Sequence, residues 1–225
     1  MTTTTSKPSY IFRYFNSPGL SEGCRLLLTA SGHKWTEENP AWPQEKANQP
    51  FGQMPVLVVL DEDGKADFIL DQSTTIERYL ARVHGFMPSD VRQAARQEQL
   101  RDQLADVHLA LSLRRFVAED KKATAIERFE NLLETLFRVH GKVLQENGNN
   151  GHYFGDKLSY IDITAYGFFR SMFLWGTGVQ EDLASYISNK MTPEFRKFIA
   201  TVEADPLLQE HVAKSARIVS MISDN

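Results

Sequence analysis

The fold of this chain is decided by one stretch, Phe51-Gly52-Gln53-Met54-Pro55-Val56-Leu57-Val58-Val59-Leu60. Its run of Val and Leu, which follows turn residues, predicts a buried strand. Pro55 opens the run, where a strand tolerates a residue that has no N–H for the sheet ladder. If the Met54–Pro55 bond is cis, the chain turns just before the strand and Met54 shows its backbone groups to a strand-like ligand. An ordinary proline at a sheet edge is the alternative interpretation.

The segments around this strand predict a small sheet with helices. Asp61-Glu62-Asp63-Gly64 is a hairpin turn signal, and Thr74-x-x-Glu77 is a capping-box pattern that predicts a helix start. Gly32 fits the position just after a helix. The predicted strands cover residues 10–15, 33–37, 56–60 and 68–70, the predicted helices cover 20–31 and 73–84, and residues 39–50 form a loop with a short helix.

Beyond a linker at residues 85–90 the apolar period becomes helical. A long helix at 90–119 is indicated by apolar residues three and four positions apart. Further helices are predicted at 124–145, 159–175, 180–189, 192–203 and 206–221, with a loop at 146–155. A mixed sheet followed by helices predicts two domains. These are an α/β thioredoxin-like domain of order βαβαββα at residues 1–86 and an all-α domain at residues 91–225.

Composition excludes several classes of function. The chain has 225 residues and a net charge of -4, which argues against a nucleic-acid surface. No apolar run approaches the roughly 18 residues that span a membrane. The one cysteine, Cys24, excludes an intramolecular disulfide and a Cys-x-x-Cys redox site, and the six scattered histidines predict no metal site. The N-terminus has no apolar signal core, so we expect a cytoplasmic protein.

Four motifs, in this order, resemble those of the cytosolic glutathione transferases over nearly the whole chain. The first is similar to the Tyr-Phe-x-x-x-Gly-x-x-Glu-x-x-Arg start of the tyrosine-type classes, and of the sigma class most of all. The last is similar to a folding motif of the family, and its Ser159-x-x-Asp162 pattern predicts a capping box. The motifs are Tyr14 to Arg25, Phe51 to Leu57, Asp71 to Ala81 and Leu158 to Ile163.

The resemblance implies that Tyr14 donates its hydroxyl to the thiol of glutathione. That thiol has a pKa near 8.5, and only the thiolate attacks electrophiles well. For this thiol to be mostly ionised at neutral pH, its pKa must fall by roughly 2 units, which corresponds to about 3 kcal/mol. A hydrogen bond to a charged group contributes about 1.5–3 kcal/mol. Tyr14 ends the first predicted strand, beside a helix N-terminus that also favours an anion. A buried strand tyrosine is the alternative.

The resemblance also implies the residues that bind glutathione and a homodimer that completes the site. Several of them have plainer interpretations: Ser73 as an N-cap, Lys46 as a surface lysine, and Asp102 with Asp106 as a solvated acidic pair. By resemblance, Trp42 and Lys46 hold the glycyl end, the backbone of Met54 pairs with the cysteinyl unit, Gln53 and Pro55 also bind glutathione, Gln72 and Ser73 hold the γ-glutamyl carboxylate, and Asp106 reaches the γ-glutamyl ammonium of the neighbouring subunit.

The loop after the first strand departs from the tyrosine-type pattern. Pro18 and Leu20 stand where many members carry arginines that shape the thiolate environment. The Asn-Ser-Pro-Gly turn resembles the serine-type classes, so Ser17 is the rival hydroxyl donor and Ser21 a weaker one. We prefer Tyr14 because its motif aligns without a gap. Cys24 falls inside the first helix, where we expect it to be packed rather than catalytic.

Three functions stay open on the sequence. The first is conjugation of glutathione to hydrophobic electrophiles, with glutathione as co-substrate and no metal. The second is a glutathione-dependent isomerase or peroxidase on the same fold, and the third is a non-catalytic binding module. The acceptor pocket is expected between residues 16–20 and the long helix near residues 109–113, with Pro18, Leu20 and Leu113 in its wall.

Overall fold

The computed structural model describes residues 9–179, 181–214 and 217–222, and within them every side chain except those at positions 115, 175–179, 181, 182 and 219. The strands are β1 (Ser9–Arg13), β2 (Trp35–Glu38), β3 (Val56–Leu60) and β4 (Ala66–Asp71). The helices are α1 (Glu22–Ala30), α2 (Ser73–Val83), α3 (Val91–Phe116), α4 (Lys122–Glu146), α5 (Tyr160–Val179), α6 (Glu181–Lys190), α7 (Pro193–Ala204) and α8 (Gln209–Val212). The predicted fold class is confirmed, with the short helix between β2 and β3 reduced to the 3-10 turn Lys46–Asn48.

The four strands form one mixed sheet in the order β2-β1-β3-β4. β1 and β2 are parallel, while β3 is antiparallel to both of its neighbours. Arg13 on β1 and Asp71 on β4 are both register partners of Val56, the first residue of β3. The end of β1, the start of β3 and the end of β4 therefore lie side by side at one edge of the sheet.

β3 is the central buried strand that its sequence predicted. Its first four residues are all buried, so both faces of the strand are covered. Leu57 and Val59 belong to the main hydrophobic core together with residues of α1 and α2. The turn after β3 is the predicted hairpin, with Gly64 at a φ of 77° and the N–H of Asp61 donating to the carbonyl of Lys65 at 2.8 Å.

The second half of the chain is helical, as predicted. α3 begins where Asp90 accepts the N–H of Gln93 on its carboxylate at 2.8 Å. The predicted capping box before α5 is present in one half: the carboxylate of Asp162 accepts the N–H of Ser159 at 2.9 Å, and it also accepts the Ser159 hydroxyl at 2.6 Å. Residues 85–90 connect α2 to α3, and the division of the chain into two domains there stays a prediction.

Two buried ion pairs join the sheet half to the helical half. Glu77 on α2 accepts two hydrogen bonds from Arg101 on α3, at 2.6 and 3.0 Å. Glu22 on α1 accepts a hydrogen bond from Arg170 on α5 at 2.6 Å. All four side chains are at most 7% exposed, so these charges stabilise the junction only as pairs.

Two local predictions are wrong, for tertiary reasons. No side-chain cap starts α2, because Gln72 is its N-cap residue and Glu77 turns inward to Arg101. The single helix at 206–221 is instead α8 and a 3-10 turn, Ile218–Met221. Buried Glu203 on α7 accepts the N–H of Ile218 at 2.6 Å, which removes that donor from a helix ladder. Residues 180, 215 and 216 of the predicted helices lie outside the described residues.

Candidate active site

Three of the four motif segments lie at the edge of the sheet where Val56 pairs with the ends of β1 and β4. Tyr14 directly follows β1, the Met54–Pro55 pair directly precedes β3, and Gln72 with Ser73 directly follows β4. Because adjacent strands lie about 5 Å apart, these segments converge although they are far apart in sequence. Polar and backbone groups from three segments thus face one site.

Tyr14 is buried, and its hydroxyl oxygen accepts the N–H of Leu20 at 3.2 Å. Gly19 makes this approach possible: its φ is +45°, and a Cβ there would lie only 2.7 Å from the hydroxyl. A phenol that accepts one hydrogen bond keeps its own proton for donation. Burial raises the pKa of Tyr14, and the Leu20 N–H and the Arg25 charge only partly oppose it. Tyr14 therefore stays protonated at neutral pH and can donate to an anion.

Arg25 holds the loop that follows Tyr14, a role that sequence reasoning missed. Its guanidinium donates to the carbonyls of Phe15, Ser17 and Pro18, at 3.1, 2.9 and 3.2 Å. The same group lies 5.6 Å from the centre of the Tyr14 ring. The one signal in the sequence was the Glu-x-x-Arg spacing of the first motif, which places Arg25 one turn after the start of α1.

A row of aromatic contacts links Tyr14 to two further predicted residues. The ring centres of Tyr14 and Phe15 are 5.3 Å apart, and those of Phe15 and Trp42 are 5.4 Å apart. The ammonium of Lys46 lies 6.0 Å from the centre of the Trp42 ring. Gly52, just before Gln53, is close enough that a Cβ there would lie 3.7 Å from Lys46 Cε. The structure thus brings Trp42, Lys46 and the turn before Gln53 to the Tyr14 side of the sheet.

The backbone around Met54 and Gln72 is open to a ligand. The Met54–Pro55 bond is cis, and Met54 makes no backbone hydrogen bond to any residue that the structure describes. Gln72 is exposed with a φ of 72°, and the next residue, Ser73, begins α2. N–H groups in the first turn of a helix lack intrahelical partners and favour an anion. Both segments match the predicted contacts with glutathione, which stay predictions.

The alternative nucleophile activators are less well placed. Ser17 is exposed and lines a cavity beside Arg25, while the hydroxyl of buried Ser21 donates to the Pro18 carbonyl at 2.9 Å. Cys24 is fully buried, as expected, and its thiol donates to the Ser73 carbonyl at 3.6 Å. Burial raises the pKa of Cys24 well above its ordinary value, which disfavours a thiolate there.

The two predicted acidic residues of α3 differ in their ion pairing. Asp102 pairs with Arg78 on α2, whereas Asp106, one turn later, is exposed and makes no ion pair among the described residues. In the predicted acceptor wall, Leu20 lines a small cavity of about 20 Å³ and Leu113 lines another of about 270 Å³, and the expectation of one shared acceptor pocket stays a prediction. Sequence reasoning also missed Phe116, which is 75% exposed at the end of α3.

Two further predictions bear on metals and membranes. No cluster of three or more His, Cys, Asp or Glu side chains that could hold a metal ion occurs among the described residues. Within the same residues, no helix is long and apolar enough to cross a membrane.

Comparisons with known proteins point the same way as the geometry. A family profile described as "Glutathione S-transferase, C-terminal domain" matches residues 105–215. Probable glutathione S-transferase 6 of Caenorhabditis elegans is 33% identical in an alignment 162 residues long, which covers 68% of this chain and 75% of the relative. Glutathione S-transferase P 2 of Bufo bufo is 35% identical in an alignment 161 residues long, which covers 68% of this chain and 72% of the relative. The structure of prostaglandin synthase D of Nilaparvata lugens superposes with a TM-score of 0.72 at 25% identity, covering 92% of this chain and 98% of the other.

Proposed function

Because this chain belongs to the glutathione S-transferase family, we propose that Tyr14 activates the thiol of bound glutathione for conjugation to hydrophobic electrophiles. One observation carries the assignment of Tyr14. Its hydroxyl lies at the sheet edge with one lone pair occupied by the Leu20 N–H, so its proton is directed elsewhere. In the chemistry of this family, the thiolate of bound glutathione is the acceptor of that proton at the sheet edge.

The energetics support a single phenolic donor. Lowering a thiol pKa by roughly 2 units corresponds to about 3 kcal/mol, and one hydrogen bond to a charged acceptor contributes about 1.5–3 kcal/mol. Arg25, 5.6 Å from the Tyr14 ring centre, adds a positive charge near the loop where Pro18 and Leu20 stand in place of arginines. We assign the chain to the tyrosine-type enzymes, nearest the sigma class on its first motif.

In this proposal, glutathione binds along the sheet edge, and each of its three units contacts a different segment. Trp42 and Lys46 bind the glycyl carboxylate, since the lysine is already held over the indole ring. The free backbone groups of Met54, set by Gln53 and Pro55, pair with the cysteinyl unit. The N–H groups at the start of α2, with Gln72 and Ser73, bind the γ-glutamyl carboxylate.

We further propose a homodimer in which Asp106 of one subunit reaches the γ-glutamyl ammonium bound by the other. Asp106 is exposed and makes no ion pair among the described residues, as this role requires. Phe51 is 69% exposed beside the glutathione segment, and a large apolar side chain so placed favours a protein contact. We place the enzyme in the cytosol, where thiols are kept reduced.

The direct test is conjugation of glutathione to 1-chloro-2,4-dinitrobenzene by the wild type, Tyr14→Phe and Ser17→Ala. Loss of about 1.5–3 kcal/mol of thiolate stabilisation predicts that Tyr14→Phe lowers kcat/KM by roughly 10- to 150-fold. Ser17→Ala should stay within about twofold, because Ser17 is exposed and lines a cavity to which none of the proposed glutathione-binding residues belongs. Full activity of Tyr14→Phe refutes the assignment.

A glutathione-dependent isomerase or peroxidase is the second candidate, favoured by the likeness to a protein named prostaglandin synthase D. It would use the same thiolate without forming a stable conjugate. Measuring glutathione consumed per product formed separates the candidates: conjugation consumes one per product, an isomerase none, and a peroxidase two as the disulfide. Absence of all three reactions in wild type that binds glutathione indicates the non-catalytic binding module.

A further inference from the structure

Two histidines meet at the edge of the sheet opposite the Tyr14 site. His33 lies in the turn before β2, and His84 directly follows α2 as its C-cap residue. The centres of the two imidazole rings are 4.4 Å apart. Tyr10, near the start of β1, donates its N–H to the carbonyl of Lys34 at 3.0 Å and so lies beside this turn. Tyr10 and Tyr14 are four positions apart along an extended chain, which separates the two ends of β1 by about 13 Å.

Each histidine has one ring nitrogen held by a neighbour. Nδ1 of His33 lies 2.9 Å from the carbonyl oxygen of Ser31. A carbonyl can only accept, so Nδ1 carries the proton and Nε2 of His33 keeps a lone pair. Nε2 of His84 lies 2.9 Å from the hydroxyl oxygen of Tyr10. When this nitrogen donates to the phenol oxygen, Nδ1 of His84 keeps the second lone pair.

These contacts are of the kind that orients histidine ligands in metal sites. A histidine that binds a metal almost always donates its other N–H to an oxygen acceptor, which fixes the ring. The Ser31 carbonyl holds His33 in this way, and the Tyr10 hydroxyl can hold His84. Burial and the neighbouring His33 lower the pKa of His84 to about 4, so its ring is neutral at pH 7, as a ligand must be. Burial and Tyr79 raise the pKa of Tyr10 to about 12, so Tyr10 stays a neutral hydrogen-bond partner.

The separation of the two rings fits ligands at a right angle around one ion. With metal–nitrogen bonds of about 2.0 Å and about 1.1 Å from a ring nitrogen to the ring centre, the centres lie about 4.4 Å apart at a right angle and about 5.1 Å apart at the tetrahedral angle. The observed 4.4 Å matches the right angle. Right-angled nitrogen ligands are typical of square-planar Cu²⁺, whereas Zn²⁺ in proteins is tetrahedral.

The same two imidazoles are accessible to an ion from solvent. His33 and His84 are half-buried, and neither makes a further side-chain hydrogen bond to a described residue. His211 is half-buried too, but its Nε2 lies 2.8 Å from the carboxylate of Glu22. The other three of the six histidines are buried: His108, His140 and His152.

We propose that His33 and His84 form a binding site for a divalent transition-metal ion, with Cu²⁺ bound most tightly and water in the remaining positions. The sequence analysis predicted no metal site because these histidines are far apart along the chain and meet only in the fold. A bound ion links the turn before β2 to the end of α2, and ligand that binds only the folded state stabilises it. The site shares no residue with the proposed glutathione site, so it does not depend on the proposed function.

The probe is Cu²⁺, supplied as its glycine complex and titrated calorimetrically at pH 7 into the wild type, His33→Gln, His84→Gln and the double variant. His211→Gln is the matched control, because it removes an imidazole outside the pair and glutamine can still donate to Glu22. Electron paramagnetic resonance of the bound Cu²⁺ identifies its imidazole nitrogens. Every variant keeps buried Cys24, so any contribution of the thiol is common to all of them. Circular dichroism without metal verifies that each variant is folded.

The proposal predicts one Cu²⁺ per subunit with two imidazole nitrogens in the wild type. Each single variant should bind Cu²⁺ at least about tenfold more weakly, since loss of a group that only orients a ligand already costs about 10- to 100-fold. His211→Gln should change the affinity less than about twofold. Wild-type affinity in the double variant, or two imidazole nitrogens retained in either single variant, overturns the proposal. Glutathione is absent from these titrations, so failure of the proposed function would leave their outcome unchanged.

Discussion

The buried Glu77–Arg101 pair makes the sharpest stability prediction. Its two hydrogen bonds are 2.6 and 3.0 Å long, and the side chains of Glu77 and Arg101 are 1% and 7% exposed. Arg101→Met removes the cation but leaves the carboxylate in the junction between α2 and α3. Since an uncompensated buried charge is the costly outcome, we expect the free energy of unfolding to fall by about 3–5 kcal/mol at pH 7.

The double variant Glu77→Leu with Arg101→Met separates charge from packing. Well-packed apolar side chains of similar volume often replace a buried ion pair at little net cost. Glu77 Oε1 lies 2.4 Å from where a Cβ on Gly23 would stand, so the leucine must fit against the bare glycine backbone. We expect the double variant to lose less than about 2 kcal/mol, which makes the two single effects strongly non-additive.

Urea unfolding followed by circular dichroism measures all of these changes, at two protein concentrations so that subunit dissociation is recognised. Lys122→Met is the control, because the Glu119–Lys122 pair is exposed and should contribute less than about 0.5 kcal/mol. A loss below about 1 kcal/mol for Arg101→Met would refute the argument. So would a double variant as unstable as the sum of the two single ones.

Two further changes test the site and the core. Lys46→Ala should raise the dissociation constant of glutathione about tenfold, by loss of a charged hydrogen bond, while Lys157→Ala leaves it unchanged in calorimetry. Burial lowers the pKa of His140 to about 3. Unfolded histidine titrates near 6.5, so this residue costs stability as pH falls from about 6.5 towards 3, roughly 2 kcal/mol by pH 5. His140→Gln should flatten the pH dependence of urea unfolding, and an unchanged slope contradicts this.

The sheet half could be predicted because its signals are local. The Val and Leu run of β3, the Asp-Glu-Asp-Gly turn and Gly32 each fix the chain through neighbours in sequence. Once the order of the elements was known, the convergence of Tyr14, Met54 and Gln72 followed from it. The register with Val56 shows this convergence directly.

The two errors in secondary structure involve partners that are distant in sequence. The sequence pattern predicted Glu77 as a capping residue, but its carboxylate instead accepts a hydrogen bond from Arg101, 24 positions away. Glu203 takes the N–H of Ile218 and ends the apparent helix at the C-terminal end. Arg25 donates hydrogen bonds to three carbonyls of the loop. These bonds depend on the backbone conformation of the loop, which the residue types alone do not predict. The spacing of apolar residues indicates which face of a helix or strand is buried. It does not indicate which buried charged side chains pair with each other.

The central claim is that Tyr14, rather than Ser17, lowers the thiol pKa of bound glutathione. Ultraviolet absorbance of the thiolate, titrated against pH in the wild type, Tyr14→Phe and Ser17→Ala, measures this directly. The account predicts a pKa roughly 2 units below that of free glutathione in the wild type and Ser17→Ala, and a return towards the free value in Tyr14→Phe alone. A shift that survives in Tyr14→Phe and disappears in Ser17→Ala would contradict it.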